Sequence, residues 1–313
     1  MIPQEQIHLK QARDFGETFN ISVKFIRQNF ASYMGCILLL AGPFVLLYAI
    51  SYSYYESVIQ YKTALMKAGR MYSISKYGWE YFLAIFMQGL SSMSLTCTGY
   101  AYMVVYNEKG RGNFSPTDVM RKMNSVIEKL IGAFFLYGFL AVIFIGAIVF
   151  IIVMLTEASP VVGIFLVIAM FFGALLLAPN ILWQLSAAFL VIISENEIPV
   201  TAYGRTREVM KDNFWWTWLI VVCSSLIVFF IALLFMIPEL IYVIMAEFST
   251  GDVPNEASMT YVVIGTVCTF LGTIVYTMSN VFSGFHYFSL AEKKDGTGIM
   301  ERINEIGKTE QPL

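Results

Sequence analysis

Side chains that could do chemistry are scarce in the apolar part of this sequence, and the clearest set surrounds a proline. Asn180 and Gln184 are spaced four residues apart, so they share one face of a helix, and they follow Pro179 directly. Asn280 lies at a similar depth in a later apolar stretch. A proline inside a helix frees the carbonyl four residues earlier, here that of Leu175, and bends the helix. Because amides in lipid need partners, we expect these side chains to face a bundle interior.

Two interpretations of this polar set stay open. The amides form interhelical hydrogen bonds that fix packing, or they line a substrate pocket beside a broken helix. No Asp, Glu, Lys or Arg lies deep in an expected span, whereas proton-coupled transporters usually carry such residues there. Ion-coupled transport is therefore disfavoured, and a neutral pathway or a lipid-facing groove remains the alternative to packing.

Enzyme and metal signatures are absent from the sequence. The two histidines are His8 in the polar N-terminal region and His286 near the inner end of the last apolar stretch, at the expected headgroup level. No HExxH, GxSxG, P-loop or dinucleotide-binding pattern and no CxxC pair is present. The acidic loop expected at 239–256 is interpreted as a solvated turn, because its spacing matches no calcium-binding loop. We predict no catalytic residue, no cofactor and no metal.

The composition identifies the environment in which these residues act. Of 313 residues, 58% are apolar and only 13% are charged, with a net charge of −2; the mean hydropathy is +0.67. Soluble domains carry about 25% charged residues. These values exclude a water-soluble globule, a disordered chain and a nucleic-acid-binding domain, so we expect an integral membrane protein in contact with lipids.

Uncharged stretches long enough to cross a bilayer, which takes about 20 residues, occur six times. Their apolar centres lie near 33–52, 82–105, 131–154, 163–192, 216–237 and 262–289. The fourth stretch has 37 residues and would reach about 55 Å as one helix, so we expect it to begin at Ser159-Pro160 outside the hydrocarbon and to bend at Pro179. The predicted fold is an all-α polytopic membrane protein, a single domain over residues 1–313.

The positive charges predict the orientation. Of 20 Lys and Arg residues, 16 fall on the side of the two termini and four on the opposite side. Since basic residues are retained on the cytoplasmic side, both termini should be cytoplasmic. The first 30 residues are polar and charged, so we expect no cleavable signal peptide.

Amphipathic segments rich in Lys and Arg precede three of the spans, near 16–32, 116–129 and 200–213. An apolar stripe opposed by cations is typical of a helix lying in the headgroup layer. The second segment has a strong helix start in Ser115-Pro116-Thr117-Asp118. Each segment is followed by a pair of predicted spans that cross the membrane outward and back. This arrangement is either a threefold repeat or arises because inward loops before a span are generally amphipathic and basic. The cytoplasmic tail 292–313 carries a further apolar stripe: Ile299, Ile303 and Ile306.

One segment carries a resemblance to known membrane proteins. Within Ala188–Ile231 the run SENEIPVTAYGRTREVMKDNFWW has a short acidic turn after a span, then an amphipathic helix and an aromatic pair entering the next span. This pattern resembles YciC-like inner-membrane proteins and the membrane domain attached to some glycerophosphodiester phosphodiesterases. The opening RDFGETFNISVKFIRQNF and closing FSLAEKKDGTGIMERINEIG are similar to uncharacterised six-span proteins of Bacteroidota. The resemblance implies a bacterial cytoplasmic membrane, but no phosphodiesterase activity, because the chain has no room for the catalytic barrel.

The sequence therefore predicts a non-enzymatic membrane scaffold or accessory subunit that docks a protein partner at its cytoplasmic face. The docking surface would carry Glu195, Glu197, Arg205 and Arg207. The alternative is a transporter or lipid-handling protein with a neutral polar site at Pro179, Asn180, Gln184 and Asn280.

Overall fold

The computed structural model describes residues 6–69, 77–248 and 258–296. Over these ranges all regular secondary structure is α-helical, which confirms the predicted fold class. The helices are α1 (Phe15–Leu40), α2 (Gly42–Lys67), α3 (Trp79–Lys109), α4 (Pro116–Asn124), α5 (Ile127–Ala158), α6 (Pro160–Glu195), α7 (Pro199–Met210), α8 (Phe214–Phe248), α9 (Met259–Val275) and α10 (Thr277–Asp295). The predicted tail stripe at Ile299, Ile303 and Ile306 lies outside the described residues.

Four described stretches are long and apolar enough to cross a membrane. They are in α5, α6, α8 and the stretch Met259–Asp295, which contains α9 and α10. Helices α1 and α2 form a bent pair that passes the same test together and would be a fifth. Helix α3 contains the predicted span 82–105 but is less apolar, with Gln88 and several Ser and Thr residues. The chain is thus a multi-pass helical membrane protein, and the count of six spans stays a prediction.

The first predicted span and the segment before it are organised differently from expectation. The sequence separates an interfacial helix at 16–32 from a span at 33–52, but α1 runs without a break from Phe15 to Leu40. The chain then bends by 63° between α1 and α2. Pro43, at the start of α2, accounts for the bend, because its ring clashes with the preceding turn and its missing N–H removes a helical hydrogen bond.

The second interfacial segment is also divided. Helix α4 begins at Pro116, as the Ser-Pro-Thr-Asp sequence predicts, and Asp118 accepts a hydrogen bond from the Ser115 backbone N–H at 2.9 Å. It ends at Asn124 rather than near 129, and α5 starts at Ile127. Ser125 helps to end α4, because its hydroxyl donates to the carbonyl of Lys122 at 2.7 Å. In the third segment, predicted at 200–213, the structure has α7 at Pro199–Met210.

Two helices contain an internal proline. Helix α6 starts at Pro160, as expected, continues past Pro179 and ends at Glu195, where Asn196 with a φ of 59° forms a left-handed cap. Helix α8 continues past Pro238 to Phe248. The loop predicted from residue 239 is therefore wrong at its start, because Glu239 is a helical residue inside a candidate span, Phe214–Met245. Asp252 and Glu256 of that loop lie outside the described residues.

The chain divides into two compact units. Unit 1 comprises Met1–Phe30, Tyr100–Ser224 and Ser279–Leu313, and unit 2 comprises Ala31–Gly99 and Ser225–Met278. In unit 1, α5, α6 and α7 contact one another, and a buried aromatic cluster places Phe25 against Tyr102, Tyr106 and Phe285. In unit 2, α2 packs along α9. The single domain predicted for residues 1–313 stays a prediction.

Candidate functional site

Asn180 is the least satisfied polar side chain among the predicted site residues. It lies on α6 in unit 1 and is 2% exposed, yet neither Oδ1 nor Nδ2 has a hydrogen-bond partner among the described residues. Trp183, three residues later on the same face, is also 2% exposed, and its Nε1 is equally without a partner. Three buried polar atoms at neighbouring positions thus lack the hydrogen bonds that buried groups normally make.

The α6 helix changes environment at this point. Residues 174–177 are exposed, Ala178 and Pro179 are half-buried, and Asn180 is buried. Leu175, Leu176 and Leu177 expose about half of their surface, and in an integral membrane protein such apolar surface faces hydrocarbon. Asn180 therefore lies just inside the protein, next to a face that contacts lipid tails.

The Leu175 carbonyl, which Pro179 leaves without its helical partner, accepts a hydrogen bond from another helix. The indole Nε1 of Trp218 on α8 donates to the carbonyl oxygen of Leu175 at 3.1 Å. This bond replaces the helical bond that residue 179 cannot make. The carbonyl that Pro179 leaves without a helical bond is consequently satisfied from outside α6, while the side-chain amide of Asn180 is not.

Gln184 behaves as the packing interpretation expects. It is 6% exposed, its side-chain Nε2 donates to Sδ of Met210 at 3.5 Å, and its backbone carbonyl accepts from Thr206 Oγ1 at 3.3 Å. These contacts join α6 to α7. Asn280 is buried on α10, 7% exposed, and has polar interactions of its own. Of the predicted amides, only Asn180 has both side-chain polar atoms buried without a partner in the described part of the chain.

Sequence reasoning placed His286 at the headgroup level and gave it no part in the site. In the structure His286 is 3% exposed, its Nε2 is 2.9 Å from Thr217 Oγ1, and its ring lies edge-on to Trp183 with centroids 5.3 Å apart. The Trp183 ring therefore contacts His286 of α10, which in turn is hydrogen-bonded to Thr217 of α8. The sequence shows that Trp183 shares a helix face with Asn180. It does not show that His286 contacts Trp183, because that contact joins distant parts of the chain.

The polar cluster around these contacts contains no Asp, Glu, Lys or Arg. It consists of Asn180, Trp183, Gln184, Thr206, Met210, Thr217 and His286. An unpaired amide offers one acceptor and two donor hydrogens, and an unpaired indole offers one donor. The arrangement can hydrogen-bond a neutral polar group, and it has no carboxylate to hold a cation. Among the described residues no group of His, Cys, Asp and Glu is arranged to hold a metal ion.

A second feature of unit 1 is an open, charged cleft of about 510 Å³, lined by Glu195, Glu197, Thr201, Gly204, Arg205 and Glu208. Arg205 forms ion pairs with Glu195 and with Asp295 at the end of α10. Lys294 binds Glu208 at 2.6 Å and lowers the pKa of that carboxyl. Of the residues predicted to form the docking surface, Glu195 and Arg205 are thus ion-paired with each other, and Lys294 and Asp295 of α10 add further ion pairs.

No known protein family, curated protein or solved structure matches this chain.

Proposed function

We propose that this integral membrane protein binds the neutral polar group of an amphiphilic molecule, such as a lipid, at Asn180. The observation that carries the proposal is that both polar atoms of the Asn180 side chain are buried and without a partner. Burying an amide without hydrogen bonds costs about 1–3 kcal/mol on protein mutational scales. A bound group that restores these hydrogen bonds would remove this penalty.

The surroundings of Asn180 favour an amphiphile over a fully polar solute. The exposed Leu175, Leu176 and Leu177 precede it on α6, so an apolar tail would lie on the lipid-facing side while a polar group reaches the amide. The uncharged cluster around Asn180 favours a neutral group, because a charged one would be buried without a counter-ion. The protein would handle this molecule by binding alone, since no catalytic set accompanies the site, and we propose that it is not an enzyme.

The direct test is to identify what co-purifies with the protein in mild detergent by native mass spectrometry and lipid extraction. We expect a bound amphiphile on the wild-type chain and at least about tenfold weaker affinity in Asn180→Leu, which corresponds to about 1.4 kcal/mol and would be seen as a lower occupancy. Trp183→Phe keeps an aromatic ring but removes the indole donor, and it should show an intermediate loss.

Asn29→Leu is the matched control. Asn29 is also a buried asparagine of unit 1, 4% exposed, but its Nδ2 donates to the carbonyl of Phe25 in its own helix at 3.0 Å. It should retain the amphiphile. If Asn180→Leu raises the melting temperature and leaves the co-purifying molecules unchanged, Asn180 holds at most a water and the proposal is wrong.

A second candidate function is supported by the charged cleft. An accessory subunit would dock a protein partner there, because the cleft is open and displays both Arg205 and the acids Glu197 and Glu208. Rim charges of this kind chiefly govern association rate and specificity. Crosslinking in cells should capture a partner with the wild-type chain and lose it with Arg205→Glu, while Asn180→Leu leaves it intact.

Location and orientation are part of the same proposal. The 16-to-4 distribution of basic residues supports an orientation with both termini in the cytoplasm. The resemblance to bacterial inner-membrane proteins supports a bacterial cytoplasmic membrane. Cysteine labelling from each side of the membrane tests this, starting from a variant without the four native cysteines. A cysteine at Thr201 should react only from the cytoplasmic side.

A further inference from the structure

A separate cluster of buried oxygen atoms lies in unit 2, around the carboxylate of Glu239. Glu239 is 8% exposed; its Oε1 accepts a hydrogen bond from the Tyr261 hydroxyl at 2.7 Å, and its Oε2 has no partner among the described residues. Acids inside membrane helices are rare and usually functional. One oxygen of this carboxylate is therefore available to a ligand.

Two hydroxyl groups of unit 2 are likewise buried without a hydrogen-bond partner among the described residues. Ser53 on α2 is 1% exposed and Thr269 on α9 is 6% exposed, and neither hydroxyl oxygen has a hydrogen-bond partner in the described residues. Ser57, one turn from Ser53, is also 1% exposed, but its hydroxyl donates to the Ser258 carbonyl at 3.1 Å. Lack of a partner is thus a property of particular positions and not of every buried hydroxyl in this unit.

Gly265 leaves space next to the Ser53 hydroxyl and the Glu239 carboxylate. A methyl group at this position would lie 2.9 Å from Ser53 Oγ and 3.3 Å from Glu239 Oε1, closer than ordinary van der Waals contact. Tyr261 and Thr269 lie one turn before and one turn after Gly265, on the same face of α9. The glycine thus leaves room between a carboxylate and a hydroxyl, on a helix face that carries two further oxygens.

We propose that Glu239, Ser53 and Thr269 bind a small monovalent cation such as Na⁺ in the space beside Gly265. All available ligands are hard oxygen donors, as alkali and alkaline-earth cations require. A single carboxylate with an unpaired oxygen supplies one negative charge, which a monovalent ion neutralises. The carboxylate of Glu56, which is hydrogen-bonded to Tyr52, is not among the groups nearest to Gly265. The cation site does not depend on the amphiphile site at Asn180, since Glu239, Ser53 and Thr269 all belong to unit 2.

The test is the thermal stability of the full-length protein in detergent at fixed pH and fixed ionic strength, with NaCl replacing choline chloride. A ligand that binds only the folded protein raises the melting temperature in a saturable manner. We expect this response to Na⁺ in the wild-type chain and its loss in Glu239→Gln. Ser53→Ala and Thr269→Val should each weaken the apparent Na⁺ affinity by about tenfold.

Matched variants separate binding from general damage. Ser57→Ala removes a satisfied hydroxyl from the same helix and should keep the Na⁺ response, whereas Gly265→Ala fills the space and should abolish it. A wild-type melting temperature that is independent of Na⁺, or a response that survives in Glu239→Gln, overturns the proposal. A saturable response to CaCl₂ with none to NaCl overturns the monovalent assignment.

Discussion

The indole Nε1 of Trp218 donates a hydrogen bond to the carbonyl oxygen of Leu175, across 3.1 Å and 43 residues of sequence. The bond exists because Pro179, four residues after Leu175, has no N–H to offer that carbonyl. Helix α8 thereby satisfies the backbone carbonyl of α6 that Pro179 leaves without a helical bond, close to the buried Asn180. The relationship makes the geometry of the candidate site dependent on a residue outside it.

Trp218→Phe should lower stability by about 1 kcal/mol, because it leaves the Leu175 carbonyl without a donor in an apolar surrounding. The decisive measurement is a double-mutant cycle with Pro179→Ala, in which residue 179 regains an N–H for that carbonyl. Trp218→Phe should then have a smaller effect on the denaturation midpoint than in the wild-type background. Equal effects in both backgrounds would mean that the indole stabilises only by packing.

Thr217→Val should destabilise the protein by about 1–3 kcal/mol, since it keeps the shape of the side chain but removes the hydroxyl partner of buried His286. Thr217→Ser retains the hydroxyl and should stay closer to wild type. Chemical denaturation followed by tryptophan fluorescence measures both. If the serine variant is as unstable as the valine variant, the methyl contact and not the hydrogen bond is the stabilising element.

Acidification should unfold or loosen the start of α4. Hydrogen bonds from Lys109 at 2.7 Å and from the Ser115 backbone and hydroxyl hold the pKa of Asp118 well below its ordinary value of 3.8. A carboxyl whose pKa is lower in the folded state stabilises above its unfolded pKa and loses that contribution as the pH falls through the folded value.

The melting temperature of Asp118→Asn should therefore lie below that of the wild type near neutral pH. The two curves should converge as the pH drops below about 4. Ser115→Ala removes one of the three hydrogen bonds and should behave in an intermediate way. A difference between wild type and Asp118→Asn that stays constant down to pH 2 would contradict this account.

Close helix packing in unit 1 depends on Gly284. A methyl group at this position would lie 2.7 Å from Sδ and 2.8 Å from Cε of Met103. Because these atoms end a flexible side chain, Gly284→Ala should be tolerated, whereas Gly284→Leu should destabilise by about 1–3 kcal/mol through overpacking. Adding Met103→Ala should restore part of the loss. If the stability of the double variant does not recover, the leucine clashes with a group other than Met103.

Several features could be predicted because they depend on neighbouring residues alone. Pro116 and Pro160 start helices, and Pro179 must free the carbonyl of Leu175, since proline lacks an N–H wherever it occurs. Low charge and long apolar stretches indicated a helical membrane protein, because lipid forces backbone groups to pair within each helix. The same local chemistry singled out Asn180 and Gln184 as amides requiring partners.

Only tertiary packing decided which of these two amides has a hydrogen-bond partner. Asn180 and Gln184 have similar side chains one turn apart, yet Gln184 reaches Met210 on another helix while Asn180 reaches no partner among the described residues. Glu239 follows a proline and was expected in a loop, but α8 continues, and Gly265 on α9 leaves space beside its carboxylate. Hydrogen bonds and burial join residues that are distant in sequence, so they arise only when the helices pack.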